Sequence, residues 1–116
     1  MLKRSSAISL LLVYAVSARA GDMTLSEFQA NKAQVAVISY VNGVGQGYLY
    51  ANALLISQGK PAIYCQPVDL TLIGFNYMRL IEAEAKRTST VREYRSDTSV
   101  EMILLNALRV NFPCGK

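Results

Sequence analysis

The apolar and polar positions alternate along the chain with helical spacing, and no stretch carries the period-2 pattern of a half-buried strand. Thr24-Leu25-Ser26-Glu27 has the T-x-x-E spacing of a capping box, in which the threonine hydroxyl and the glutamate carboxylate satisfy free amides at a helix start. A short first helix is predicted over 25–31. From Gln34 to Gln58 there is no charged residue and no proline, which predicts one long second helix. Tyr40, Val41, Val44, Tyr48, Ala51 and Leu55 share one face of it, and Ile38, Leu49 and Ile56 make the neighbouring face apolar as well. A helix apolar nearly all round belongs at the centre of a bundle.

Gln58-Gly59-Lys60-Pro61 ends this helix, with Gly59 suited to the left-handed position after a helix end and Pro61 preventing continuation. Asp69 or Thr71 is expected to cap a third helix with the stripe Leu72, Phe75, Met78 and Ile81. Its Glu82, Glu84, Lys86 and Arg87 are expected in solvent, Glu82 and Lys86 forming an i, i+4 pair. Residues 88–97 form a polar connection longer than a bundle turn needs. Thr98 and Glu101 repeat the capping-box spacing and open a fourth helix with Val100, Ile103, Leu104, Ala107 and Leu108 inward, which Phe112-Pro113-Cys114 stops. The fold class expected is all-α, a compact four-helix bundle stapled by one disulfide.

Ser39, Gly43, Gly47 and Ala51 recur every four residues and form a ridge of small side chains on the second helix. Such a ridge lets another helix approach closely, either within the chain or across a dimer seam. The glycines do not read as a phosphate cradle: Tyr48 or Tyr50 stands where G-x-G-x-x-G needs its third glycine, and no Lys-Ser/Thr pair follows. A membrane-spanning reading of the uncharged stretch is opposed by Gln34, Asn42, Gln46 and Asn52, whose amides are costly in hydrocarbon.

The first twenty residues have a different character. Lys3 and Arg4 precede an apolar run from Ala7 to Val16, and Ala18-Arg19-Ala20 follows, the three parts of a secretory signal with cleavage expected after Ala20. No cysteine follows that site, so a lipid anchor is not suggested, and the expected domain comprises residues 21–116. The chain carries 12 basic and 8 acidic residues. Loss of Lys3, Arg4 and Arg19 with the signal leaves a net charge of about +1, which removes the basic stripe that nucleic-acid binding requires. Contact with a membrane is expected only during export.

Cys65 and Cys114 are the only cysteines, and an even pair in a short exported chain reads as a disulfide. Closing a loop of about 50 residues is worth on the order of 4 kcal/mol in the chain-entropy picture. The chain has no histidine. That removes the usual base of nucleophile systems and the commonest metal ligand, so neither enzymatic activity nor a metal or other cofactor is expected. Arg92, Glu93, Tyr94, Arg95 and Asp97 stand out in the polar connection, because Tyr and Arg are the side chains that most often dominate binding energy at interfaces. They are the candidate partner-binding residues.

Three segments together carry a family resemblance: Tyr40-Val41-Asn42-Gly43-Val44-Gly45-Gln46-Gly47, then Tyr64-Cys65-Gln66-Pro67, and Ala107-Leu108-Arg109-Val110-Asn111-Phe112-Pro113-Cys114. Across most of residues 24–114 the chain resembles the Rap/Tai family of immunity proteins of bacterial type VI secretion. The resemblance implies a small helical periplasmic protein, often a homodimer, that binds a secreted peptidoglycan amidase effector and blocks its active site. It places effector contact on the segment between the third and fourth helices and matches Cys65 and Cys114 to the family's disulfide. The acidic residue usual in the second helix is replaced here by Gln46. Two other readings fit the size and compartment: a periplasmic acid-stress chaperone of the HdeA-like kind, and a helical binding domain outside any secretion system. For a chaperone, acid unfolding would have to be driven by carboxylates alone.

Overall fold

The computed structural model describes residues 22–87 and 93–115, and the chain is a compact four-helix bundle. The helices are α1 (Leu25–Asn31), α2 (Val35–Ser57), α3 (Gly74–Arg87) and α4 (Val100–Asn111), and no strand occurs among the described residues. The expected export signal and Arg92 lie outside them.

α1 starts as its sequence predicts, with the Thr24 hydroxyl accepting the Glu27 amide at 3.1 Å. Two further free amides at this end are satisfied from across the fold: Leu25 N–H donates to the Thr98 carbonyl (2.8 Å) and Ser26 N–H to that of Ser96 (3.0 Å). Thr24 and Ser99 form an isolated antiparallel bridge, and Val100 N–H donates to the Met23 carbonyl at 2.8 Å. The starts of α1 and α4 are thereby sewn together. With Thr98 taken up in this seam, the cap of α4 moves one residue on: Ser99 accepts the Met102 amide at 3.3 Å, and Glu101 turns elsewhere.

α2 runs its full predicted length and closes with a Schellman turn. Gly59 is at φ +70°, its N–H bonds to the Ile56 carbonyl (3.0 Å), and the Lys60 N–H bonds to that of Leu55 (2.9 Å). α3 begins later than predicted. Neither Asp69 nor Thr71 caps it; the Asn76 side chain instead reaches back to accept the Ile73 amide at 2.9 Å. Its start is set by contact, since a Cβ on Gly74 would lie 2.9 Å from the Ile38 side chain of α2.

The core gathers Leu25 and Phe28 of α1, Val37 and Val41 of α2, Tyr77, Met78 and Ile81 of α3, and Val100, Ile103, Leu104 and Leu108 of α4. The predicted inward face of α4 is buried throughout, Ala107 included. On α3 the predicted stripe is partly displaced: Phe75 is exposed, and Tyr77, fully buried, takes the central place. Tyr77 fits because residue 45 has no side chain; a Cβ on Gly45 would fall inside the tyrosine ring.

The close helix contact of α2 therefore falls on Gly45 and not on the ridge, whose Gly43 and Gly47 each stand two residues from it. Ser39, Gly43, Gly47 and Ala51 are all exposed, and a Cβ on Gly43 or Gly47 would meet nothing within 4 Å. Two residues of helix amount to a rotation of about 200°, so the ridge faces largely away from the side that α3 takes, the side that also carries Val37, Val41 and Asn52.

The connection after α2 is held by a buried asparagine. Asn52 donates to the Tyr64 carbonyl and accepts the Ile63 amide, both at 2.7 Å, which fixes the chain just before Cys65. Cys65 N–H donates to the Phe112 carbonyl at 2.8 Å, and the Cys65–Cys114 disulfide, 49 residues apart in sequence, ties the end of α4 to this loop. We predict that Gly45→Ala lowers stability by about 2 kcal/mol through forced displacement of Tyr77. Gly43→Ala should leave stability unchanged or raise it by up to about 1 kcal/mol. Denaturant unfolding of the two variants beside the parent checks both.

Candidate functional site

The segment after α3 is anchored by a polar cluster that begins with Glu84. The sequence reading placed this carboxylate in solvent, but the residue is only 2% exposed. Its burial is compensated locally and from a distance. Arg87, one turn on, forks across both carboxylate oxygens at 2.9 and 2.8 Å. The Tyr94 hydroxyl donates to Glu84 Oε1 at 3.0 Å, and Asn106 of α4 donates to that hydroxyl at 3.1 Å. The Arg87 hydrogen bonds hold the Glu84 carboxyl below its ordinary pKa, against the opposing effect of burial, and Tyr94 adds to the lowering. Burial in turn raises the Tyr94 phenol.

The other members of that third helix also differ from expectation. Glu82 pairs at 3.4 Å with Lys32, just beyond α1, so the salt bridge links elements instead of adding to one helix. Both partners are substantially exposed, and such a pair contributes little.

Of the five candidate partner-binding residues, Glu93, Tyr94, Arg95 and Asp97 fall among the described residues. Tyr94 is half-buried and packs against the core with its ring while its hydroxyl joins Glu84 and Asn106. Glu93, Arg95 and Asp97 are exposed, and the Arg95 guanidinium pairs with Asp97 at 3.1 and 3.2 Å. The tyrosine is thus an anchor more than a contact, and it holds its charged neighbours at the surface. Beside it lies an open concavity of about 510 Å³ lined by Glu84, Arg87, Tyr94, Asn106, Arg109 and Pro113, against the disulfide. Nothing in local periodicity signalled it, because its parts come from α3, the segment at 94 and α4.

Gln46 occupies a structural position. Its amide donates to the Leu72 carbonyl at 3.2 Å and lies 3.4 Å from the Tyr77 hydroxyl, so it holds the chain entering α3. A carboxylate has no proton to donate and could not make the bond to Leu72. Glutamine at this position therefore serves this chain's own packing.

A second surface has the opposite character. Around the exposed ridge, Val35 (78%), Tyr50 (71%) and Leu54 (58%) project large apolar side chains from a helix with no charge along its length. No helix among the described residues is long and apolar enough to cross a membrane. Among the described residues no group of histidine, cysteine, aspartate and glutamate is placed to hold a metal ion. Comparison with family models, curated proteins and solved structures returned no match for this chain.

The Glu84 cluster has a pH signature. Because the folded-state pKa lies below that of the unfolded chain, its stabilisation is complete above about pH 5 and is lost as pH falls through the folded-state value. Glu84→Gln should cost about 2 kcal/mol at pH 7 and flatten the acid limb of the stability profile. Thermal melts of both proteins between pH 7 and pH 3 test this.

Proposed function

We propose that this protein is an exported immunity protein of the bacterial periplasm, which binds a secreted peptidoglycan amidase and blocks its substrate groove sterically. The observation that carries the reading is the Tyr94 anchor. It ties the chain at residue 94 to α3 and α4 and leaves Glu93, Arg95 and Asp97 exposed beside an open concavity. Preorganisation of this kind lowers the ordering cost of binding, and arginine is among the residues that most often dominate an interface. The family resemblance, the cysteine pair and the export signal read in residues 1–20 support the compartment. Inhibition of this kind requires no chemistry from the inhibitor and no cofactor, only a rigid body that fits a groove.

The test is capture with the exported chain, disulfide intact, from the secreted proteins of the source bacterium, followed by a toxicity assay of the captured protein in the periplasm. A stoichiometric hydrolase whose toxicity is relieved by this chain is the expected result. Arg95→Glu, whose side chain is 83% exposed, should weaken that complex by about tenfold or more while the melting temperature stays unchanged. Unaltered affinity in a variant carrying Arg92→Glu, Arg95→Glu and Tyr94→Phe together would sink the assignment of this segment.

The protein also acts, in this reading, as a homodimer joined through α2. The uncharged face around Ser39, Gly43, Gly47 and Ala51 supports it, since an apolar, self-complementary surface suits a two-fold seam and a ridge of small residues permits close approach. Gly47→Leu separates this from any role of the ridge within one chain. A Cβ at residue 47 meets nothing within 4 Å, so the variant should melt at or above the parent temperature yet run as a monomer in light scattering.

A further inference from the structure

The concavity beside the disulfide carries more polar capacity than the fold uses. Arg87 spends Nε and Nη2 on Glu84, and its remaining nitrogen, Nη1, bonds to nothing among the described residues. Arg109, exposed in the last turn of α4, lines the same hollow. All eight acidic residues of the chain are among the described ones, and their ion pairs go to Lys32, Arg87 and Arg95. Arg109 therefore pairs with no acidic side chain. Because Glu84 and Arg87 cancel, the hollow keeps one positive charge that no side chain offsets.

Asn106 supplies the opposite chemistry. The Tyr94 hydroxyl gives its proton to Glu84 and so must accept from Asn106 Nδ2, which fixes the orientation of the amide. Its oxygen, Oδ1, is left as an acceptor with no donor among the described residues. Asn106, Arg109 and Val110 stand at i, i+3 and i+4 and so share one face of α4, with neighbouring Cβ atoms about 5–6 Å apart. Val110 and Ile63 line the hollow with apolar side chains that are 48% and 42% exposed, and Pro113 adds a third apolar wall.

A guanidinium for an anion, an amide oxygen for an N–H and an apolar wall thus meet in about 510 Å³, a volume suited to a small ligand. The last residue of a peptide presents all three complements on a single Cα: a carboxylate, an N–H and a side chain. An acidic side chain brings a carboxylate with no N–H beside it, and a phosphate brings nearly two charges to a site that balances one. We infer that this concavity binds the carboxyl-terminal end of a peptide whose last residue is apolar. Arg109 holds the carboxylate through charge-assisted hydrogen bonds, with Arg87 Nη1 as a second donor, and Asn106 Oδ1 accepts the N–H of the last residue. Ile63, Val110 and Pro113 cover its side chain. The inference goes beyond the immunity reading and does not depend on it, so its failure would leave that reading standing.

The experiment titrates the isotope-labelled full-length chain, disulfide intact and at low salt, with N-acetyl-Ala-Leu and follows backbone and side-chain N–H signals by NMR. Saturable shifts at residues 63, 106, 109 and 110, with a Kd of about 1 mM, are expected. The carboxamide of the same peptide should bind at least about tenfold more weakly, and so should the free peptide to Arg109→Gln. Arg109 is exposed and makes no ion pair, so this variant should keep the parent melting temperature. N-acetyl-Glu-N-methylamide, which offers its carboxylate on a side chain, should also bind at least about tenfold more weakly. Adding Gly-Ser after Lys116 moves the chain's own terminal carboxylate away and should leave the affinity unchanged. The absence of saturable shifts up to about 20 mM, equal binding of the carboxamide or of the glutamate probe, or unaltered affinity in Arg109→Gln would each overturn the inference. A rise in affinity on adding Gly-Ser would also overturn it, because the site would then belong to the chain's own end.

Discussion

The spacing between α2 and α3 depends on one residue that has no side chain. Tyr77 is the bulky centre of the bundle and lies where a Cβ of residue 45 would have to be. With glycine there, α3 comes down onto α2, Gly74 closes against Ile38, and the Tyr77 hydroxyl reaches the Gln46 amide at 3.4 Å. α4 then packs on α3 with a fully apolar inner face, which brings Phe112 to the Cys65 amide and Cys114 to its disulfide partner. A methyl group at residue 45 would push back each of these contacts in turn, because a close-packed interior has little slack to absorb it.

Much of this was legible in the sequence where the determinant is local. The Thr24 cap, the length of α2, its left-handed Gly59 stop and the inner face of α4 follow from one or two turns of chain, and each is found as read. The cysteine pair was legible for a different reason, since two cysteines allow a single pairing. What could not be read was the choice among equivalents. Gly43, Gly45 and Gly47 look alike along the chain, and only the position of Tyr77 separates the one that packs from the two that face outward. Glu84 looked solvated because Lys86 and Arg87 adjoin it; its burial is decided by Tyr94 and Asn106, 10 and 22 residues away. Asn52 gave no signal at all, because it serves the backbone of residues 63 and 64 and not a side chain of its own helix.

Polar groups do specific work in this bundle, and they do it at the joins. Asn52 fixes the loop before the disulfide, Gln46 the entry to α3, and Asn106 with Glu84 the segment after α3. Tyr64 is one exception: its ring is buried, its hydroxyl lacks a partner among the described residues, and desolvation pushes its phenol up to about 12. The ring's packing beside the disulfide outweighs the unmet hydroxyl there, since an aromatic side chain buries far more apolar area than one hydroxyl loses in solvation.

The same distribution explains how so small a bundle can present a defined surface. Segments joining helices usually carry function and are usually mobile, and binding must then pay for their ordering. Here the chain after α3 is tied at Tyr94 to two helices and, through Pro113 and Cys114, stands beside a covalent staple. The exposed charges at 93, 95 and 97 are held by the half-buried Tyr94 and not by the Arg95–Asp97 salt bridge, which at high exposure contributes little. Recognition by such a surface rests on rigidity that the core supplies. The face of α2 that the core leaves uncovered is the opposite case: it carries no charge, and it exposes large apolar side chains that no buried polar group organises.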